Sequence, residues 1–256
     1  MLLCSVRNCH KALVRECTRL ICPQGHSFDV ARSGYINLLQ PQDRRSRQPG
    51  DATAAVAARR RLHDHGVTQP FLAEIANFGS VTSRDTVLDA GCGDGFYLGT
   101  LAREKGFDGH GVDISVRAID AAARHYSECE WIVANADRFI PYADRSFSLI
   151  LSITARMNAK EFRRVLNDDG RLIVAIPSPE DLIELRGSGR DRLDRTIDAF
   201  APEFRLINRQ RVVTQADLDA ASVQDVLVSI YRPLRRQAPE AMRLTFALDL
   251  LLFRIA

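Results

Sequence analysis

Glycines and carboxylates alternate in one short segment of the chain, a composition suited to holding a small ligand. The segment Asp89-Ala90-Gly91-Cys92-Gly93-Asp94-Gly95 follows a short apolar run, 86–88, and precedes a predicted helix. Glycines let the backbone approach a ligand closely and leave the first N–H groups of the following helix free. The two carboxylates, Asp89 and Asp94, would repel a diphosphate, but they suit a ligand that carries an ammonium and a sulfonium. The loop therefore predicts a site for S-adenosylmethionine.

Two further acids stand where a nucleoside would need them. Asp113 ends the second predicted strand, at a separation from the glycine loop that allows a carboxylate to reach ribose hydroxyls. Asp137 follows the third predicted strand and is placed to accept a hydrogen bond from an adenine amino group. Their neighbours Ile114 and Ala136 are included in the predicted cofactor site. Three acids at the carboxyl ends of three consecutive strands, together with the loop, form a specific pattern.

Cysteines are concentrated near the N-terminus, where they predict a metal site. Four of the six lie within the first 22 residues, and we expect no export signal that would favour disulfides. Two short-spaced pairs separated by a loop are typical of structural zinc. Cys17 allows an alternative set of four cysteines, His10 is a further candidate, and reduced cysteines without metal are the remaining alternative. The preferred zinc ligands are Cys4, Cys9, Cys22 and His26.

Positive charge is also concentrated at this end of the chain. The formal net charge is only +3, yet residues 1–66 hold eleven Arg or Lys against five Asp or Glu. A GC-rich genome would explain the preference for Arg over Lys, but not this clustering. The polar segment 40–51 reads as an exposed linker, and Asp51 is expected to cap a helix through His63. The arginines of that helix, Arg59-Arg60-Arg61, either complement its dipole or contact phosphate. The excess of positive charge over residues 1–66 favours a polyanionic partner.

Composition argues against membrane and exported classes. The chain has 256 residues, of which 46% are hydrophobic, as in ordinary globular proteins. The longest apolar stretch, 246–253, is interrupted by Asp249 and falls short of the about 20 residues that a membrane helix needs. The first residues are too soon charged to form a secretory signal. We therefore expect a cytoplasmic protein without a membrane partner.

From residue 85 onward, predicted strands and helices alternate, which indicates an α/β fold with a doubly wound, mostly parallel sheet. A short strand is also expected at 35–39, and two long strands at 204–213 and 242–255. A helix is predicted over 215–228, with Thr214 as its cap. The alternating strands are expected at 86–89, 109–113, 130–134, 147–152 and 171–176, and the helices between them at 95–103, 115–125 and 159–166.

The glycine loop with its acids resembles that of the class I S-adenosylmethionine-dependent methyltransferases. The N-terminal part is more specific: Cys9-His10 and the segments 21–29, 34–39 and 45–51 resemble the RlmA-type 23S rRNA guanine-N1 methyltransferases. This resemblance implies zinc on the four preferred ligands, an N-terminal domain that binds an rRNA hairpin, and a domain that methylates guanine. It divides the chain into a zinc-binding domain (1–40), a basic linker and helix (41–66) and a methyltransferase domain (67–256). The arginines expected to face RNA are Arg45, Arg47, Arg59 and Arg60.

The chain departs from this family's usual pattern at three places. The first zinc knuckle, Cys4-x4-Cys9, is longer than the usual Cys-x2-Cys. Thr68 stands where the family usually has an aromatic residue that contacts the cofactor, and we keep Thr68 in the predicted cofactor site. After the fourth strand, residues 154–157 replace a Tyr-Ala-Pro-Cys-like loop beside the reacting base. Within that loop, Arg156 is the candidate catalytic residue, because a guanidinium could stabilise a developing anion on the purine oxygen; its alternative is a solvent-facing charge.

Three functions remain open at the level of sequence. The first is methyl transfer to guanine N1 in a 23S rRNA hairpin, a reaction that could confer antibiotic resistance. The second is a paralogue that methylates a small-molecule metabolite with the same cofactor domain. The third is a zinc-dependent RNA-binding protein with a vestigial methyltransferase domain. A homodimer is considered as well.

Overall fold

Strands and helices alternate along the chain much as the sequence predicts. The computed structural model describes residues 1–43, 50–155, 157–230 and 238–256. Three residues with predicted roles, Arg45, Arg47 and Arg156, lie outside the described residues. The strands are β1 Val14–Glu16, β2 Arg19–Ile21, β3 Ser27–Asp29, β4 Ile36–Asn37, β5 Thr86–Ala90, β6 Asp108–Asp113, β7 Glu130–Val133, β8 Phe147–Ile153, β9 Leu166–Pro177, β10 Phe204–Leu218 and β11 Met242–Ile255. The helices are α1 Thr53–Asp64, α2 Gln69–Phe78, α3 Phe96–Lys105, α4 Val116–His125, α5 Ala159–Val165, α6 Ile183–Arg186, α7 Leu193–Phe200 and α8 Ala220–Ser229.

Eight of the strands form one mostly parallel sheet, in the order β10-β11-β9-β8-β5-β6-β7-β4. The pairs from β4 to β9 are parallel, whereas β11 runs antiparallel to β9 and β10 antiparallel to β11. Apolar side chains on the two faces of the sheet form two large buried clusters. The doubly wound α/β fold is therefore confirmed, and its order reverses beside β5, where such sheets bind ligands at the carboxyl ends of their strands.

One predicted boundary is wrong. The segment 215–218, expected to begin a helix capped by Thr214, instead continues β10, whose pairing with β11 extends to the contact of Leu218 with Met242. The helix begins only at Ala220, where the Asp219 carboxylate accepts a hydrogen bond from the Ser222 N–H at 2.8 Å. Long-range pairing with β11 thus overrides the local helical pattern.

The N-terminal segment is attached to the sheet rather than separate from it. Strands β1, β2 and β3 form a small antiparallel sheet, and β4, within the predicted strand 35–39, joins the edge of the large sheet next to β7. Leu2 forms a bridge with Tyr142, and one buried cluster contains both Cys4 of this segment and Leu88 of β5. The division of the chain at residue 40 stays a prediction, since the two sides of that boundary share one core.

Helix α1 packs on α8 and α4. The predicted capping of this helix by Asp51 is wrong, because Ala52 occupies the cap position and no side chain caps it. Asp51 instead forms an ion pair with Arg59, with 2.7 Å between Oδ2 and NH1. Among the described residues, every helix is too short or too polar to cross a membrane.

Candidate functional site

The glycine loop connects β5 to α3 at the carboxyl edge of the sheet. Gly91, Gly93 and Gly95 have φ angles of 88°, 56° and 78°, in the left-handed region that favours glycine. The N–H of Gly91 donates to the Val112 carbonyl at 2.7 Å, which fixes the loop against β6. A Cβ at Gly95 would lie 2.5 Å from Trp131 Cη2, so the helix that begins there packs too closely for any side chain. Backbone conformation and close packing therefore both require glycine at the start of α3.

Two carboxylates beside this loop, Asp89, which is buried, and Asp113, which is half-buried, form no ion pair within the described residues. Asp89 is 2% exposed, and burial together with the charge of Asp113 raises its pKa to about 8. Burial also raises the pKa of Asp113, whose oxygens accept hydrogen bonds from the Gly93 N–H at 3.0 Å and the Ser115 N–H at 2.7 Å. Asp89 Oδ1 has no hydrogen-bond partner in the described part of the chain. A buried, unpartnered carboxylate suits a cationic ligand.

The third carboxylate, Asp94, is held by helix α1. Arg60 Nε lies 3.0 Å from Asp94 Oδ2, and its NH2 donates to the Asp94 carbonyl at 3.0 Å. His63 stacks on Phe96 with 4.0 Å between ring centroids, and its Nε2 is 3.7 Å from Asp94 Oδ1. Burial, with repulsion from the nearby arginines, lowers the pKa of His63 to about 3, so its ring is neutral at physiological pH. This role of Arg60 and His63 was not predicted from the sequence, although their i, i+3 spacing places them on one helix face.

Both arginines of α1 that were predicted to face RNA are engaged within the protein. Arg60 is bound to Asp94, as described, and it also donates to the Tyr126 hydroxyl at 3.2 Å. Arg59 pairs with Asp51, and its NH1 comes within 3.5 Å of the point where a Cβ of Gly93 would lie. RNA contact by these residues stays a prediction, and such contact would have to compete with their ion pairs.

The other predicted cofactor residues surround the loop at varying distance from it. Ile114 and Ala136 are half-buried after β6 and β7, and Asp137 is exposed. Thr68 stands at the start of α2, where its Oγ1 lies 2.6 Å from His63 Nδ1 and so adjoins the group that holds Asp94. The structure thus brings the loop, Asp89 and Asp113 together directly and connects Thr68 to them through His63.

The loop after β8 lies against the glycine loop. A Cβ at Gly91 would be 2.5 Å from the Cβ of Ala155, and the backbone of Thr154 adopts a left-handed φ of 52°. The Thr154 N–H donates to the Ala175 carbonyl at 2.8 Å, which fixes this turn to β9. Residues after the fourth parallel strand therefore border the cofactor loop, as the sequence analysis expects of a substrate loop.

The four preferred zinc ligands converge on one point. Their ligand atoms all lie within 4.8 Å of one another, including Cys9 Sγ and Cys22 Sγ at 3.7 Å and Cys22 Sγ and His26 Nδ1 at 3.4 Å. A tetrahedral zinc with bonds of about 2.0–2.3 Å needs similar separations, so the donor set fits this metal. Burial raises the pKa of Cys4 to about 12, so zinc must displace its proton. The clustered residues are Cys4, Cys9, Cys22 and His26, while Cys17 is exposed and stands outside the cluster.

Comparison with known proteins gives matches in both parts of the chain. Residues 3–47 match the family described as "RlmA, N-terminal", a zinc ribbon, and residues 87–170 match a methyltransferase domain. The chain is 33% identical over 211 residues to a 23S rRNA (guanine(748)-N(1))-methyltransferase of Streptomyces fradiae, covering 78% of this chain and 74% of that protein. It is 36% identical to a putative 23S rRNA (guanine-N(1)-)-methyltransferase of Bacillus subtilis, covering 65% of this chain and 61% of the relative.

Solved structures support the fold alone. A TehB-like S-adenosylmethionine-dependent methyltransferase from Corynebacterium glutamicum superposes with a TM-score of 0.52 at 21% identity, covering 80% of this chain and 98% of the other. A complex of the Haloferax volcanii Trm112 activator with a putative methyltransferase gives a TM-score of 0.55 at 19% identity, covering 81% and 98%. The sheet and its glycine loop therefore have the architecture of S-adenosylmethionine-dependent methyltransferases.

Replacing Cys9 and Cys17 separately by Ser tests the ligand set. We expect Cys9→Ser to lose its zinc and to melt at a lower temperature, because the metal joins the two knuckles of the ribbon and its binding free energy contributes to folding. Cys17→Ser should keep its zinc and its melting temperature, since Cys17 is exposed outside the cluster. Metal analysis and thermal melting of the purified chain measure both effects. Zinc lost from both variants would favour the alternative set of four cysteines, which contains Cys9 and Cys17.

Gly95→Ala and Gly106→Ala form a matched pair, with φ angles of 78° and 77°. Alanine in this left-handed conformation lowers the free energy of unfolding by about 1–2 kcal/mol. Because a Cβ at Gly106 would meet open space, Gly106→Ala should lose no more stability than that. Gly95→Ala should lower the free energy of unfolding by about 1–3 kcal/mol more than Gly106→Ala does, because the Trp131 side chain must move. Only Gly95→Ala should weaken binding of S-adenosylmethionine, by about tenfold. Urea unfolding and calorimetry measure the two effects; equal affinity in both variants would contradict the assignment of the loop.

Proposed function

The chain belongs to the family of 23S rRNA (guanine-N1)-methyltransferases, and from that premise we propose that it transfers a methyl group from S-adenosylmethionine to N1 of a guanine in 23S rRNA. One observation carries the proposal: a single chain combines the RlmA-type zinc ribbon with a glycine loop lined by buried carboxylates. The ribbon alone would suit an RNA-binding protein, and the loop alone would suit many methyltransferases. Their combination favours methylation of RNA.

The buried acids give the cofactor site its charge. S-adenosylmethionine, when bound, supplies an electrophilic methyl group on a positively charged sulfur. We assign Asp113 to the ribose hydroxyls, because its carboxylate is already fixed by the N–H groups of Gly93 and Ser115. Asp89 faces the site with an unpartnered oxygen and favours a cation there. The loop glycines at 91, 93 and 95 admit the ligand close to the backbone, and Thr68, Ile114, Ala136 and Asp137 complete the proposed site.

The reaction itself requires little covalent chemistry from the protein. Guanine N1 forms a bond to the methyl carbon, the carbon–sulfur bond breaks, and the N1 proton leaves to solvent or to a base. Because N1 is paired in duplex RNA, the guanine must first be unstacked and held in line with the methyl group. The turn at Thr154 and Ala155 borders the glycine loop, which supports our assignment of this turn to holding the base. A catalytic role of Arg156 stays a prediction.

The zinc ribbon is proposed to recognise an rRNA hairpin. Zinc holds the ribbon together, and β4 together with the shared core joins it to the sheet that carries the cofactor loop. Arg45 and Arg47 of the basic segment remain the arginines proposed to contact phosphate, together with Arg59 and Arg60 if their ion pairs open. A cytoplasmic location follows from a ribosomal substrate, whereas a homodimer and antibiotic resistance stay predictions.

One observation favours a second candidate function. Residues 154–157 differ from the loop that the family usually places beside the reacting base, and Ala155 of this segment borders the glycine loop. A changed substrate loop next to an intact cofactor loop is what a paralogue acting on a small metabolite would have. Such a protein would use the same cofactor residues but would not need the ribbon for catalysis.

Transfer of radiolabelled methyl from S-adenosylmethionine separates these functions. The zinc-loaded chain is incubated with unmodified 23S rRNA transcript and, separately, with a small-molecule extract. We expect label in the rRNA at one guanine, seen as a stop in primer extension because N1 methylation blocks the pairing edge. Asp113→Ala should lower this activity by raising the KM for the cofactor about tenfold, whereas Asp217→Ala, in an exposed ion pair, should not. Label in a metabolite only would overturn the proposal.

A further inference from the structure

A cleft separates the zinc ribbon from the end of the large sheet. It has a volume of about 420 Å³, within the size range of ligand pockets. Ser5, Arg7, Asn8 and His10 of the ribbon form one wall. The opposite wall comes from the segment after β7, with Asn135 and Phe139, and from Arg164 of α5. We call it the ribbon cleft; none of the residues assigned above to cofactor, zinc or RNA lines it.

The sheet-side wall of the ribbon cleft is held in place by internal bonds. Arg138 forms an ion pair with Asp43, and Asn135 Nδ2 donates to the Asp43 carbonyl at 3.0 Å. Arg164 pairs with Glu161, 2.7 Å apart, and with Asp144, 3.0 Å apart. Arg138 and Arg164 are therefore both paired with acidic neighbours, of which Asp43 and Glu161 also line the cleft. These ion pairs and hydrogen bonds fix the shape of the sheet-side wall. The unpaired positive charge of the cleft therefore comes from the ribbon side.

The ribbon side carries uncommitted groups. Arg7, Asn8 and His10 are exposed, and the structure gives the side chains of Arg7 and Asn8 no hydrogen bond or ion pair within the described ranges. His10 meets the edge of Phe139, with 4.2 Å between the ring centroids. The cleft thus offers a free guanidinium, a free amide and an aromatic pair within one concave surface.

The length of the first zinc knuckle produces this arrangement. Four residues separate Cys4 from Cys9, two more than the family's usual spacing, and they include Arg7 and Asn8. The backbone of Asn8 and of His10 adopts left-handed φ angles of 65° and 49°, which turns the loop around this point. The ligand atoms nevertheless converge within 4.8 Å. The longer knuckle therefore leaves the zinc site intact and adds side chains to the cleft.

We propose that the ribbon cleft binds one unpaired nucleotide of the RNA substrate, with its phosphate at Arg7 and its base against Asn8 and His10. Single-stranded RNA is recognised by this combination: a cation for the phosphate, an amide for a base edge and an aromatic ring for stacking. A purely anionic metabolite would not require the aromatic pair. The inference rests on the proposed function and extends it, because it assigns to the longer knuckle a role in selecting the RNA.

Arg7→Ala and Lys11→Ala test the cleft as a charge-matched pair. Each removes one exposed positive charge from the ribbon, but Lys11 does not line the cleft. With unmodified 23S rRNA transcript and the zinc-loaded chain, Arg7→Ala should raise the KM for RNA about tenfold and make the salt dependence of binding shallower by about one unit of slope. Lys11→Ala should change the KM for RNA by less than about twofold if general attraction alone is lost. Zinc content and the KM for S-adenosylmethionine should stay at the wild-type values in both.

Asn8→Gly tests the amide without disturbing the loop, because glycine accepts the left-handed backbone of this position. We expect it also to raise the KM for RNA, with kcat unchanged, and to alter which rRNA fragments are methylated. The inference would be overturned if all three variants had the wild-type KM for RNA. It would also be overturned if Arg7→Ala and Lys11→Ala raised the KM for RNA by the same factor. Wild-type protein that methylates no 23S rRNA would instead overturn the proposed function, so the two failures are distinguishable.

Discussion

Burial of carboxylates around one glycine loop is the constraint on which the rest of the site depends. Asp89, Asp94 and Asp113 converge there, and desolvation raises the pKa of each. Only Asp94 has a guanidinium in direct contact, from Arg60. Asp113 is compensated by two backbone N–H groups, and Asp89 keeps an unpartnered oxygen. The remaining deficit of positive charge is what a sulfonium and an ammonium would supply.

The elements around the loop serve to maintain that arrangement. The parallel strands β5 and β6 bring Asp89 and Asp113 to one edge of the sheet, and the ion pair between Arg60 and Asp94 fixes α1 against the start of α3. Through β4 and the shared core, the zinc ribbon is attached to the same sheet. The ribbon, the ribbon cleft and the cofactor loop therefore belong to one packed structure.

Local chemistry made much of this predictable from sequence. The glycine loop, Asp113 and the four zinc ligands are set by short spacings, and the structure brings each of these groups together. Contacts between distant segments were not predictable in the same way. Arg60 was assigned to RNA because its own segment is basic, whereas its partner Asp94 lies in the glycine loop. The capping role of Asp51 and the start of the last helix at 215 failed for the same reason, since Arg59 and β11 respectively determine those conformations.

Calorimetric titration with S-adenosylmethionine in two buffers of different ionisation enthalpy tests the central claim most directly. With a pKa of about 8, Asp89 is largely protonated at pH 7 in the free protein, and a cation bound beside it lowers that pKa. The account predicts binding accompanied by release of a fraction of one proton per chain. S-adenosylhomocysteine, whose sulfur is neutral, should release less. An absence of binding heat, or binding whose heat is the same in both buffers, would contradict it.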